Sequence, residues 1–142
     1  MDHSLLLDAA FALIVWTLIV WVWMYSLRIP AMKSAAIDPQ DAKHPGSLNN
    51  LPSLVRSVAD NYNHLHEQPT IFYALVFYSY LTGLGNHGNL GDAAIVLAWL
   101  YVIFRVFHSF VQNTSNVVMI RFALFSASSI TLIALAVLNI VA

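Results

Sequence analysis

The sequence predicts an all-α integral membrane protein that folds as a four-helix bundle. Of its 142 residues, 59% are hydrophobic and 9% are charged, whereas soluble domains are about 45–50% apolar and about 25% charged. So few charged side chains cannot cover the surface of a water-soluble particle of this size. Long apolar stretches also alternate with polar segments rich in Pro, Gly or Asn. We therefore expect residues 1–142 to form a single membrane domain.

The same composition excludes several other classes of protein. Six Lys+Arg against seven Asp+Glu give a net charge of −1, so there is no basic surface for nucleic acid. The absence of Cys excludes a disulfide scaffold, a thiolate zinc site and a cysteine nucleophile. Any sulfur chemistry here therefore needs a thiol that a bound molecule supplies.

The first span is predicted at residues 9–27, because from Ala9 to Tyr25 only Thr17 interrupts the apolar run. A bilayer core about 30 Å thick takes about 20 helical residues. Residues 1–8 carry no Lys or Arg, and no small-residue cleavage pattern follows the run. These features favour a retained span over a signal peptide.

A polar loop is expected over residues 28–52, punctuated by Pro30, Pro39, Pro45, Gly46 and Pro52.

The second helix is predicted from about residue 54, with Ser53 as its N-cap and a span at residues 65–84. Its apolar stretch Ile71–Leu84 has 14 residues, about 21 Å at 1.5 Å per residue, which is too short to cross the bilayer. A full span therefore carries Glu67 into the hydrocarbon depth, and Pro69 is expected to kink the helix. Polar residues recur on this helix at helical spacing: Arg56, Asp60, Asn63 or His64, and Glu67.

The third and fourth spans are predicted at residues 93–112 and 122–141. Asp92, after a Gly-rich turn, is the expected cap of the third helix, and residues 113–116 form a tight connection. Arg121 stands at the inner edge of the fourth span. One face of the third helix is polar by i, i+3, i+4 and i+7 spacing and consists of Arg105, His108, Ser109 and Gln112.

The basic residues predict an orientation and a site. All six lie in the first loop or on the helix halves that flank the same side. The positive-inside rule therefore places the first loop in the cytoplasm and both termini on the outer side of the membrane, which we expect to be the cell (inner) membrane. An ionisable group in the bilayer costs about 2.5–3.5 kcal/mol and normally faces the bundle interior. We therefore expect a polar, net-positive cleft open to the cytoplasm, where an anionic soluble ligand meets a lipophilic one.

Several short segments together carry a family resemblance. They are Asp38-Pro39-Gln40-Asp41-Ala42, Asp60-Asn61-Tyr62-Asn63 through Glu67, Pro69 and Phe72, Arg105-Val106-Phe107-His108-Ser109, and Asn116 with Arg121. With four spans and this length, the chain resembles the MAPEG family, the membrane-associated proteins of eicosanoid and glutathione metabolism. The resemblance implies a four-helix protomer in a homotrimer that binds glutathione between protomers and acts on lipophilic electrophiles as a transferase or peroxidase.

The resemblance also implies roles for individual residues. Arg121 would stabilise the glutathione thiolate as the catalytic residue, since a fixed cation lowers a thiol pKa. Glu67 would hold the amino group of glutathione, Arg105 would shape the site, and Arg28 would meet a carboxylate. The remaining expected binding residues are Asn63, His64, His108 and Gln112.

Some positions depart from the family pattern. The family's glutathione binders often read Arg-x-x-x-Glu with Asn directly after the Arg, and here Asn63 and His64 take those two places. Asp60 replaces another cation, Gln112 stands where a tyrosine is usual, and Phe125 replaces a further one. Fewer donors therefore face the glutathione carboxylates. The alternative function is a non-catalytic membrane protein that binds a lipid or a protein partner.

Other interpretations of the same residues remain open at this point. Glu67 can neutralise Arg105 or Arg121 inside the bundle, Arg121 can extend to the interface without a ligand, and His108 can serve as a packing residue. A single His-x-x-Glu pattern is too little for a metal site. A third possible function is that of a small multidrug-type transporter. Such a protein usually has an acidic residue at mid-depth in its first helix, and the position of Asp8 at the outer edge argues against this function.

Overall fold

A computed structural model describes residues 2–44 and 46–142, and within these ranges it contains helices and turns and no strand. Pro45, one of the residues expected to punctuate the first loop, lies outside the described residues. The helices are α1 (Leu5–Ser34), α2 (Ser53–His64), α3 (Gln68–Leu81), α4 (Asn89–Asn113) and α5 (Val118–Val141). Short 3₁₀ turns occupy Pro39–Asp41 and Leu84–Asn86.

The predicted all-α membrane bundle is confirmed. Helices α1, α4 and α5 have 30, 25 and 24 residues and are long and apolar enough to cross a bilayer. The fourth position of the bundle is filled by α2 and α3 in succession. Large apolar side chains cover the outer faces of the long helices and remain exposed, among them Phe11, Phe122 and Ile140. Such faces suit contact with lipid rather than water.

The prediction of one continuous helix from about residue 54 through 84 is wrong, because the chain breaks at residues 65–67. Helix α2 ends at His64, and α3 begins at Gln68 with Pro69 as its second residue. A proline inside a helix has no N–H to donate and its ring clashes with the carbonyl four residues earlier, here that of Leu65. The turn closes instead with tighter bonds, such as His66 N–H to the Asn63 carbonyl at 2.9 Å. Pro69 therefore produces a break and not a kink.

Three other predicted boundaries differ from the structure. Helix α1 continues through Pro30 to Ser34, because one proline removes a single backbone bond and the residues after it are good helix formers. Ser53 is the first helical residue of α2 rather than its cap. Asp92 lies inside the first turn of α4, where its N–H bonds to the Gly88 carbonyl at 3.0 Å.

The core of the bundle lies around α4, which packs against both α1 and α5. The Phe72 and Tyr101 rings stack with centroids 4.3 Å apart, and this contact joins α3 to α4. Buried aliphatic side chains from α1, α3, α4 and α5 surround that pair: Leu6, Leu13, Val20, Val76, Ile95, Ala98, Leu132 and Leu135. The polar end of the bundle begins directly beyond Tyr101, at Arg105.

The connection between α4 and α5 depends on Asn116. Its backbone is left-handed with φ 50°, and its N–H bonds to the Val111 carbonyl at 2.7 Å. The side-chain amide donates to the Ser57 hydroxyl of α2 at 3.0 Å and accepts from Arg121 Nη1 of α5 at 2.6 Å. One residue thus ties three helices together at the polar end of the bundle.

Two substitutions of Asn116 separate the contributions of its backbone conformation and of its side chain to the free energy of unfolding. We expect Asn116→Ala to lower the free energy of unfolding by about 2–3 kcal/mol, because it loses both side-chain bonds and strains a left-handed residue. Asn116→Gly relieves the strain and should cost about 1 kcal/mol less than alanine. Unfolding in detergent, followed by circular dichroism, measures both. Ser115→Ala is the control, and a glycine variant less stable than the alanine variant would contradict the proposed backbone contribution.

Candidate functional site

Two polar cavities lie on either side of α2 and meet along it. The first, of about 420 Å³, is enclosed by α1, the first loop and α2, and its polar lining includes Arg28, His44, Asn49, Arg56, Asp60 and Asn63. The second, of about 210 Å³, lies among α2, the helix break, α4 and α5 and is lined by Ser57, Asp60, Asn63, His64, Glu67, Gln112, Asn116 and Arg121. Because Asp60 and Asn63 line both, the predicted polar stripe of α2 is the wall that the two cavities share.

The charges of this double cavity are distributed along its length. Arg28 and Arg56 lie in the first cavity, and Arg121 lies in the second. The lining carboxylates are Asp60, at the shared wall, and Glu67, in the second cavity. Three arginines against two carboxylates leave the lining at +1 with the histidines neutral. The lining is therefore net positive, as expected for the cleft, with at least one arginine in each cavity and Asp60 in the wall that they share.

The second cavity contains buried polar atoms without partners. Gln112 is 2% exposed, and its Oε1 accepts no hydrogen bond; Nε of Arg121 is buried and donates none. Buried polar groups are nearly always paired, and each exception needs an explanation. Both residues line this cavity, and the two unpartnered atoms themselves are buried behind its surface.

Glu67 is paired with a histidine rather than an arginine. Its Oε2 lies 3.0 Å from Nδ1 of His64, across the helix break, and the side chains of His64 and Glu67 are 40% and 66% exposed. The interpretation in which Glu67 neutralises Arg105 or Arg121 therefore does not hold for the contacts described. The pair lines the second cavity opposite Arg121, which is on α5.

Arg105 lies behind the cavities and does not line either of them. It is 2% exposed, and its Nη2 donates to Oε1 of Gln68 while its Nε donates to the Tyr101 hydroxyl at 3.2 Å. The guanidinium carbon also lies 4.9 Å from the Phe125 ring centroid, a favourable cation–π arrangement. Among these contacts there is no carboxylate, so neutral polar and aromatic groups hold the charge.

His108 shares the buried position of Arg105. It is 6% exposed, and its ring centroid lies 6.4 Å from those of His64 and Phe125. Of the predicted polar face of α4, only Gln112 reaches a cavity, while Ser109 accepts a hydrogen bond from the Asn61 amide of α2. The face is therefore a polar seam between helices, and its last residue contributes to the site.

Sequence reasoning missed Gln68, which connects three helices. As the first residue of α3 it accepts from Arg105 of α4, and its Nε2 donates to the Ser129 hydroxyl of α5 at 2.9 Å. On a continuous helix Gln68 points about 100° away from Glu67 and off the polar stripe. The break changes the direction of the Gln68 side chain. Pro69 would have indicated this in the sequence if it had been interpreted as the start of a new helix, since proline is common in the first turn of a helix.

The Gln68–Arg105 contact is testable by a double-mutant cycle. Gln68→Leu leaves a buried guanidinium without its acceptor, so we expect a loss of about 2 kcal/mol or more in the free energy of unfolding. In an Arg105→Leu background the same change should cost much less, because no charge is left unpaired. Denaturation in mixed micelles measures the four proteins, with Gln40→Leu as the control. Additive effects would show that the two residues do not act as a pair.

Comparison with known proteins gives one result. A family model described as the MAPEG family matches residues 6–141, nearly the whole chain. No curated protein and no solved structure matches the chain. The family match spans all four positions of the helical bundle and both cavities. The chain belongs to the MAPEG family.

Proposed function

We propose that this protein is a glutathione-dependent transferase or peroxidase that acts on lipophilic electrophiles at the cytoplasmic side of the bilayer. The observation that carries the proposal is the pair of adjoining polar cavities, each lined by at least one arginine, with Asp60 in the wall that they share and Glu67 in the second cavity. Binding of glutathione is a general property of the family to which the chain belongs.

The charges of glutathione fit this arrangement. The tripeptide carries two carboxylates, one ammonium group and one thiol. In our proposal Arg28 and Arg56 bind the carboxylates in the first cavity, where charge-assisted hydrogen bonds are the strongest available. The ammonium group lies near Asp60 and Glu67, and the thiol enters the second cavity. The 420 Å³ cavity is within the range of about 300–1,000 Å³ that is usual for small-molecule sites.

Arg121 is the proposed catalytic residue. Its Nη1 is held by Asn116, while its Nε is buried without a partner. A fixed cation in the cavity lining favours the thiolate over the thiol, and the thiolate is the nucleophile. Gln112, which also lines this cavity, would hold a backbone N–H of the peptide. Arg105 acts indirectly, by holding Gln68 at the start of α3.

The lipophilic substrate approaches along α1. A shallow, open apolar groove on the surface of this helix is lined by Trp21, Val22, Tyr25, Ser26, Ile29 and Pro30. Tyr25 also lines the first polar cavity. A molecule dissolved in the bilayer can therefore lie in the groove with its polar end at Tyr25, beside the site proposed for glutathione.

We further propose that the working unit is a homotrimer. Both cavities are open at the surface of the protomer, so a neighbouring protomer would complete the enclosure. Family members often form trimers. Native mass spectrometry of the detergent-released protein should give three times 15.8 kDa. A monomer as the only species in several detergents would contradict the trimer but not the ligand.

A second candidate function is that of a non-catalytic lipid-binding membrane protein. The apolar groove favours it, because a lipid chain can occupy that groove without any thiol. The departures at Asn63, His64, Gln112 and Phe125 favour it as well. This candidate requires lipid binding without saturable binding of glutathione.

Calorimetry with glutathione tests the proposal. We expect saturable binding to the purified protein, and a loss of at least about tenfold in affinity in Arg28→Ala and in Arg121→Ala, because each removes a charge-assisted contact worth about 1.5 kcal/mol or more. Lys33→Ala is the matched control, since this exposed cation of α1 lines neither cavity. No binding at millimolar glutathione by folded protein would reject the transferase and favour the lipid-binding candidate.

A further inference from the structure

We propose that His64 is the catalytic base of this site, and that Glu67 positions its ring for removal of the thiol proton. The inference rests on the proposed function and deepens it. The supporting geometry is the short contact between His64 Nδ1 and Glu67 Oε2, 3.0 Å, on the wall of the cavity that Arg121 also lines.

The contact fixes the tautomer of the imidazole. An ionised carboxylate only accepts hydrogen bonds, so Nδ1 of His64 carries the proton and donates it to Glu67. Nε2 is then left with its lone pair and can accept a proton. A base oriented by a carboxylate through its other nitrogen is the usual way in which a side chain activates a nucleophile.

The contact between His64 and Glu67 spans the helix break, at the i, i+3 spacing that makes two side chains neighbours on a helix. His64 is the last residue of α2, and Glu67 precedes the first residue of α3, with its backbone outside the helical region at ψ −99°. The carboxylate therefore turns back toward α2. On the other side the His64 ring meets the edge of the buried His108 ring, with centroids 6.4 Å apart. Two contacts from different elements thus limit the rotation of His64.

The groups around His64 are suited to a thiol. Asp60 lies on the same helix and Glu67 in the break, His108 faces it from α4 and Arg121 lies across the cavity on α5. Arg121 stabilises the negative charge that forms on sulfur, while His64 takes the proton. Glu67 uses Oε2 for the histidine, and its second oxygen remains for the ammonium group of glutathione.

The chemical step balances with these groups alone. The S–H bond of glutathione breaks and its proton moves to Nε2 of His64, while sulfur keeps the electron pair. With chlorodinitrobenzene as the electrophile, sulfur forms a bond to the aryl carbon and chloride leaves with the electrons of the C–Cl bond. The imidazolium then releases its proton to water, and the enzyme returns to its starting state.

Two His64 variants test the assignment with chlorodinitrobenzene as the substrate. In His64→Asn, kcat at neutral pH should fall about 10²-fold with KM for glutathione nearly unchanged. Activity should return as the pH rises and the thiol ionises without a base, below the pH of about 8.5 at which a free thiol ionises, because Arg121 is still present. In His64→Ala, added imidazole should restore kcat. His66→Asn is the matched control, because His66 is exposed and bonds to the Tyr62 carbonyl outside the cavity.

The results separate this inference from the proposed function. Wild-type kcat and pH dependence in both variants, or a loss that neither alkaline pH nor imidazole reverses, would overturn the role of His64 while glutathione binding stands. A wild-type protein that binds no glutathione would contradict both.

Discussion

The helix break before Pro69 shapes the polar end of the bundle. Pro69 has no N–H to donate and its ring disfavours a helix that includes Leu65, and here, unlike at Pro30 in α1, the chain passes from α2 to α3 through a break. Glu67, in the break, contacts His64, and Gln68, at the start of α3, contacts Arg105. Two adjacent residues of the sequence thereby serve two different networks. One network lines the cavity and the other holds the helices together.

The second network solves the problem of a buried cation in a membrane protein. Arg105 is nearly inaccessible, and a charge at such a depth costs about 2.5–3.5 kcal/mol unless polar groups surround it. Gln68, the Tyr101 hydroxyl and the Phe125 ring provide that environment without a carboxylate. Because Glu67 is not used to neutralise Arg105, its charge remains free to act in the cavity. Gln68 contacts Arg105 and Glu67 does not, so the Glu67 carboxylate remains part of the cavity lining.

Much of this architecture follows from the sequence, and the exceptions have physical causes. Composition and run length predict the membrane bundle, and helical spacing places Asp60 and Asn63 on one wall. The polar face of α4 is also real, but spacing alone does not show that Arg105 and His108 lie behind the cavity while Gln112 reaches it. That distinction depends on where the cavity lies along α4, near its last turn, which is a matter of tertiary packing. The role of Gln68 was not predicted, because the direction of its side chain depends on the helix break, and a periodic pattern of polar residues does not show where a helix is interrupted.

The absence of cysteine limits what this chain can contribute to thiol chemistry. Its own groups can bind, orient, stabilise charge and move a proton, and the nucleophile has to arrive with the ligand. A water-soluble thiol and a bilayer-dissolved electrophile rarely meet in either phase, so in the proposed function proximity at one boundary would supply much of the catalysis. Tyr25 lies at such a boundary, between the apolar groove and the first polar cavity. In that proposal the residues at the ends of the helices would hold the polar reactant, and the apolar face of α1 would receive the lipophilic one.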